Sequence, residues 1–258
     1  MVETSIKIAL YVFAFVFGTV LFSFLNVVIY RLPRKENFIT GRSKCPACGH
    51  VLSFLDMLPI LSWVVLGRKC RYCGAKISAR YAIVEALGGL AAVSSVAMFG
   101  LSVYAALVFA MCAVLTCVGF IDHDTMEIPD GLSLTAAILG TVAVFFTKGV
   151  AWYEHLIGLA VISVPMLILA LLIPGGFGGG DIKLMAGCGL FLGWKNALFS
   201  FFVAAVIGGV YAVILILRKK RGRKDHIPFG PFLCMGVAAA IFAGDLVLDF
   251  YIGRLLGL

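Results

Sequence analysis

Four cysteines stand in two close pairs, Cys45 and Cys48 within CPACGH and Cys70 and Cys73 within CRYCGA, with 21 residues between Cys48 and Cys70. Each C-x-x-C offers two thiolates at short range, and four thiolates suit a tetrahedral Zn2+. Gly49 and Gly74 follow the second cysteine of each pair, where a tight turn is needed. A closed four-cysteine set leaves no open coordination position, so the expected role is structural. Disulfides are disfavoured in a reducing cytoplasm, and a redox pair has no reason to come twice. The other four cysteines, Cys112, Cys117, Cys188 and Cys234, lie in apolar runs and read as packing residues.

The second candidate chemistry belongs to acids, of which the chain has only 13. Asp122 directly follows an apolar run ending Phe120–Ile121, and Asp181 directly precedes another. Two carboxylates brought together in a poorly solvated place do not both ionise; one keeps its proton and the other can act as a base on water. That is an acid–base pair for attack on a peptide carbonyl. The competing reading is helix capping, since Asp130 and Asp181 both stand where helices should begin. Capping suffices for Asp181 alone, whereas the pair favours catalysis, with Asp124, Glu127 and Asp130 in reserve. Glu85, near the start of an apolar run, should pair with Arg80 or point into a bundle. Glu3, Asp245 and Asp249 lie towards the opposite ends of the runs. The glycines of GGFGGGD, Gly175 to Asp181, remove side chains beside Asp181. Gly178 and Gly180 are expected to let an extended substrate backbone approach, while Gly179 should tolerate alanine.

These groups need a scaffold, and composition names its class. Hydrophobic residues make up 62% of the 258 and charged residues 13%, against a globular norm of about 25% charged. Eight apolar runs follow, roughly 6–30, 81–99, 103–121, 132–146, 156–173, 182–192, 197–217 and 232–252. They are continuous rather than alternating, so helices are expected and barrel strands are not. The first is too long for a signal h-region and is read as a span. The sixth is short, covering about half of the hydrocarbon thickness. It must either continue through Gly193 and Trp194 or begin below the membrane surface. Arg31–Arg80 carries ten of the 21 Lys and Arg, and Arg218–Lys224 six more. With eight spans, both loops and both candidate acids fall on one side, cytoplasmic by the positive-inside rule, and both termini face out. The net charge of +8 therefore reads as a topology signal and a contact for anionic lipid, not as a nucleic-acid site. The expected architecture is an all-α polytopic membrane protein of about eight transmembrane helices. Residues 1–30 form the first helix, 31–80 a cytoplasmic zinc-binding loop and 81–258 a seven-helix catalytic domain.

The GGGD of Gly178–Asp181 matches the G-x-G-D signature of intramembrane aspartic proteases. Together with SFLNVVIYRLP (Ser23–Pro33), the double C-x-x-C, FIDHDTMEIPD, GGGDIKL and IPFGP (Ile227–Pro231), the chain resembles the type IV prepilin peptidases. The resemblance runs from about Ser23 to Pro231. It implies a bifunctional enzyme of the bacterial inner membrane that cuts the leader from prepilins or type II secretion pseudopilins after a glycine. It further implies N-methylation of the new terminal residue, usually phenylalanine, with S-adenosylmethionine as donor. The family's catalytic aspartates fall on Asp122 and Asp181. No G-x-G-x-x-G fingerprint occurs, so methylation rests on the resemblance alone, which attributes it to the region of the first cytoplasmic loop. Tyr81–Ala82 stands where relatives often have Tyr-Pro, and His123 takes the variable place of I-D-x-D, where it should face headgroups. Three rivals belong to other classes: a transporter or channel using membrane-edge acids, a membrane-anchored zinc module that recruits partners, and another G-x-G-D protease of the presenilin kind. The first predicts acids spread through the membrane depth, the second leaves the paired acids unexplained, and the third lacks a zinc loop.

Overall fold

The computed structural model describes residues 2–173, 176–218 and 227–250. Gly175 of the glycine stretch, residues 219–224 of the second basic run and residues 251–252 of the last apolar run lie outside them. The helices are α1 (Val2–Arg31), a short α2 (Leu61–Val65), α3 (Ala79–Phe99), α4 (Val103–Thr125), α5 (Asp130–Ala143), α6 (Trp152–Leu172), α7 (Gly179–Leu192), α8 (Trp194–Leu217) and α9 (Gly230–Phe250). Among the described residues the only extended pairing is two isolated bridges. Each apolar run has become a helix because, without water, the backbone must satisfy its own N–H and C=O groups. Among the described residues six helices, α1, α3, α4, α6, α8 and α9, are long and apolar enough to cross a membrane. The chain is an all-α polytopic membrane protein. The other two apolar helices, α5 and α7, have 14 residues each, about 21 Å against a hydrocarbon core of about 30 Å.

Helix ends follow local chemistry. Ser78 caps α3 by accepting the Arg80 N–H at 3.3 Å, and Gly100, at φ 68°, ends it. Gly193, at φ 75°, separates α7 from α8. The sixth run therefore does not continue through Trp194, and α7 stays short.

The chain divides into two compact units, Met1–Ala113 and Val114–Leu258. In the first, α1 and α3 meet where Gly18 faces Gly88, and a side chain on either would strike the other's backbone. Phe22, 1% exposed, lies over Gly88, with Phe109 of α4 at 5.7 Å between ring centroids. In the second, α7 is the most enclosed element, with Leu184, Met185 and every residue from Gly187 to Leu192 buried. Gly187 and Gly140 bring α5 against it, and Gly189 and Gly158 bring α6. This is close packing through small residues, which membrane helices use in place of a hydrophobic driving force.

Candidate functional site

The first unit holds the cysteines. Two knuckles of one design present them. In each, the first cysteine accepts from the following glycine, Gly49 N to Cys45 O at 2.9 Å and Gly74 N to Cys70 O at 3.0 Å. Each first cysteine donates its own N–H across the turn, Cys45 to His50 O at 2.9 Å and Cys70 to Ala75 O at 2.8 Å. Gly49 and Gly74 both sit at φ 71°, the left-handed conformation expected of them. The four Sγ atoms lie within 4.8 Å of one another, and Cys45 Sγ and Cys73 Sγ are 3.9 Å apart. A tetrahedral ion with Zn–S of about 2.3 Å would place its sulfurs roughly 3.8 Å apart, so the donors fit such an ion. The backbone N–H groups of Cys48 and Ala47 pull the Cys45 thiol down to about 7. The Ala75 N–H pulls Cys73 the same way, but burial and the neighbouring thiols push it up to about 11. Four thiols this close do not all ionise unless a cation shares the charge.

Asp56 braces this cluster. Its carboxylate accepts from the Ser53 hydroxyl at 2.7 Å and the Ser53 N–H at 3.1 Å. It also accepts from Arg71 Nε at 2.7 Å and the Tyr72 hydroxyl at 3.0 Å. Arg71 and Tyr72 are the two residues between Cys70 and Cys73, so Asp56 fixes the second knuckle from outside. The Ser53 hydroxyl first, then Arg71, the Ser53 N–H and Tyr72, hold its carboxyl well below the ordinary carboxylate range against the opposing effect of burial. Nothing in the sequence separates this acid from a solvated loop residue. Glu85 takes the second of its two expected courses and points inward, 8% exposed. It accepts from Ser23 Oγ of α1 and from the N–H of Ile60, both at 2.7 Å. Ile60 is at φ 61°, costly for a β-branched residue, so Glu85 seats the polar loop on α1 and α3.

The second unit holds the acids. Asp122 is not in a loop: α4 runs on to Thr125, and the turn comes at Met126, φ 56°. Gly119, one turn earlier, lies against α9, where an added Cβ would be 3.7 Å from Cys234 Cβ and 3.8 Å from Pro231 Cα. That approach puts Asp122, 5% exposed, against the first residue of α9. The Gly230 N–H donates to Asp122 Oδ2 at 2.9 Å. A Cβ on Gly230 would lie 2.7 Å from the same oxygen, so only glycine fits. Pro231 follows, tolerated because the first turn of a helix has no partner for its N–H. IPFGP is part of the sequence resemblance, yet Gly230 carries no sequence-based role; its meaning is a contact across 108 residues.

Asp181 lies in the first turn of α7 and is close enough to Asp122 for their charges to interact. Its Oδ1 is buried and has no hydrogen-bond partner among the described residues. Neither Asp130 nor Asp181 occupies an N-cap position. The N-cap positions of α5 and α7 are Pro129 and Gly178, without side-chain bonds. Asp130 is the first residue of α5 and pairs with Lys183 at 2.7 Å. Asp124 and Glu127 are exposed, and Asp124 faces His123 at 3.2 Å. Asp122 and Asp181 thus come together, and the three reserve acids stay at the surface. The glycines differ among themselves. A Cβ on Gly178 would come 3.2 Å from Asp181 Oδ2, one on Gly180 would strike Ile128 Cβ at 2.8 Å, and one on Gly179 would meet nothing within 4 Å. Gly180 therefore has a packing reason of its own.

Comparison with known proteins bears directly on this pairing of a cysteine loop with two helix-borne acids. Residues 16–99 match the model of the Bacterial Peptidase A24 N-terminal domain, and residues 107–213 that of the Type IV leader peptidase family. The chain belongs to the type IV leader peptidase family. It is an enzyme of a family of aspartic proteases. A "Prepilin leader peptidase/N-methyltransferase" of Bacillus subtilis (strain 168) is 32% identical over 245 residues, covering 94% of this chain and 98% of the relative. One of Burkholderia pseudomallei (strain 1026b) is 32% identical, covering 90% and 85%. One of Aeromonas hydrophila is 33% identical, covering 94% and 93%. No solved structure matches the chain. The N-terminal family domain falls within the first compact unit and contains all four clustered cysteines, whereas the family's main domain contains both acids.

Proposed function

We propose that this chain cleaves the leader peptide from type IV prepilins or type II secretion pseudopilins, after a glycine, at the cytoplasmic face of the bacterial inner membrane. Asp122 and Asp181 form the catalytic pair. The observation that supports the reading is that Asp122 of α4 and Asp181 of α7 are close enough for their charges to interact. Asp122 accepts the Gly230 N–H, and one oxygen of Asp181 is buried with no hydrogen-bond partner among the described residues. One of the two, as a carboxylate, takes a proton from water as the water attacks the scissile carbonyl. The other, protonated, gives a hydrogen bond to that carbonyl oxygen, and its proton passes to the leaving amine as the C–N bond breaks. Gly178, with no side chain, leaves room for the substrate backbone beside Asp181. Gly180 serves the same approach while making space for Ile128.

The names of the relatives support a second step, N-methylation of the new terminal amine. S-adenosylmethionine, when bound, supplies the methyl group. Cys45, Cys48, Cys70 and Cys73 hold a structural Zn2+ that fixes residues 31–80. In this arrangement the zinc loop and both aspartates face the cytoplasm, both termini face out, membrane lipid surrounds the helices and nucleic acid is not a partner. Co-expression with candidate prepilins tests the reading: the pilin should lose its leader and its N-terminal mass should show one added methyl group. Unprocessed pilin beside a membrane-inserted enzyme would refute it.

A further inference from the structure

The loop between α1 and α3 is polar at both ends and apolar in its middle. Residues 54–66 read FLDMLPILSWVVL, with Asp56 the one charge among them. In water such side chains turn inward. Here Phe54, Leu55, Met57, Leu61, Val64 and Val65 all face outward, Phe54 at 76% and Val65 at 79% exposure. The acid is what is hidden, its side chain 3% exposed and turned onto Ser53, Arg71 and Tyr72. Apolar outside and charge inside is the arrangement of a surface that meets lipid. The depth of the segment agrees. The Ile60 N–H is tied to Glu85 of α3, which also binds Ser23 of α1. Glu85 comes six residues after Ala79, where α3 begins, and Ser23 eight residues before Arg31, where α1 ends, about 9 Å and 12 Å along the two axes. The 21 residues of α3 make about 32 Å, against a hydrocarbon core of about 30 Å. It has no turn to spare outside the membrane, so Ile60 stands below the surface.

We propose that residues 54–66 dip into the leaflet beside α1 and α3, with bilayer lipid as their partner. Acyl chains cover the six outward apolar side chains, and anionic headgroups meet Arg68 and Lys69, which follow the segment. The backbone is equipped for that position, since in lipid it must find its own partners. Ser62 N–H donates to Leu58 O at 3.1 Å, Val64 to Ile60 O at 3.0 Å, Leu66 to Ser62 O at 2.9 Å and Arg68 to Trp63 O at 2.9 Å, while Glu85 takes the Ile60 N–H. At the exit the Arg68 guanidinium lies over the Trp63 ring, 4.7 Å from its centroid, and Trp63 Nε1 donates to Ile77 O at 3.3 Å. A tryptophan with a basic residue over it suits the border between acyl chains and water. The two cysteine knuckles flank the dip in the chain, so it anchors the cysteine cluster at the headgroups. The inference needs only the membrane architecture and not the leader-peptidase reading.

The test uses the full chain in vesicles of phosphatidylethanolamine and phosphatidylglycerol. A genetically encoded fluorescent amino acid replaces Leu61 or Val65, one at a time. The references are Phe13, exposed on α1, and Lys76, exposed after the second knuckle. Quenching by lipids with a nitroxide on the acyl chain is compared with quenching by aqueous iodide. Labels at Leu61 and Val65 should behave as at Phe13, with acyl-chain quenching at least about threefold stronger than at Lys76 and iodide quenching correspondingly weaker. Quenching by iodide as at Lys76 would place the segment in water and overturn the proposal. Protection from both quenchers would mean that a protein surface, a second copy or another partner, covers it, and would overturn the proposal equally. Both side chains point outward, so the label meets no packed neighbour, and either position carries the test if the other variant fails to reach the membrane.

Discussion

The cysteine cluster and the aspartate pair are built by opposite routes. The cysteines come from two short knuckles that each complete their own hydrogen bonds within six residues, Cys45 to His50 and Cys70 to Ala75. Asp122 and Asp181 come from different helices and gain their character from distant backbone, Asp122 from Gly230 across 108 residues. Local geometry fixes a metal site because the ion itself pulls the halves together. A pair of acids has no such ion, so helix packing must hold it in register, through close approaches such as that of Gly230 to Asp122, where an added Cβ would stand 2.7 Å from Oδ2. The difference teaches where each centre is fragile: the cluster to loss of ligands, the pair to a single added methyl group far away in sequence.

The largest effect should come from the acids. Asp122→Asn and Asp181→Asn should each lower leader cleavage by about 10²–10⁴-fold or more, with normal amounts of protein in membranes and an unchanged metal content. Cleavage near the wild-type rate by either variant would remove that residue from the pair, and loss of metal would break the contrast between the two centres. The converse experiment replaces Cys45 and Cys48 by serine. About one zinc per chain should be lost and protease sensitivity of residues 31–80 should rise, with methylation falling more than cleavage. An undiminished zinc content would refute the ligand assignment.

Gly230→Ala sharpens the comparison, because its Cβ would stand 2.7 Å from Asp122 Oδ2. We expect cleavage to fall by at least about tenfold, the loss of one well-placed hydrogen bond, with membrane levels preserved. Gly178→Ala should cost less, Gly179→Ala nothing measurable, and Gly180→Val should lose activity partly through its clash with Ile128. If all four glycine variants behaved alike, the distinct contacts described for each would have no consequence.

The effect of Asp56 should fall on the cysteine cluster and leave cleavage unchanged. Its carboxyl is held below the ordinary range, so its contribution is present above the unfolded carboxylate value of about 4 and is lost as pH falls below it. Asp56→Ala should loosen the second knuckle by about 1–3 kcal/mol, seen as faster zinc release to a chelator at pH 7. An unchanged release rate would show that the knuckle does not need this brace.

Sequence by itself determined a good deal. Continuous apolar runs can only be helices in lipid, and cysteine pairs with a glycine after each can only be knuckles, because both depend on neighbours in the chain. The expected membrane-edge position of Asp122 and Asp181 likewise rests on where apolar runs stop. Tertiary structure decided the rest. It carried α4 past the end of its apolar run and so placed Asp122 inside a helix, and it turned Asp130 from a cap into the partner of Lys183. It gave Gly230 a role that no local pattern could reveal, turned Glu85 into the seat of a left-handed Ile60, and made Asp56 a brace. Each of these is a hydrogen bond or a close approach between residues far apart in sequence, and such contacts exist only once the helices have packed.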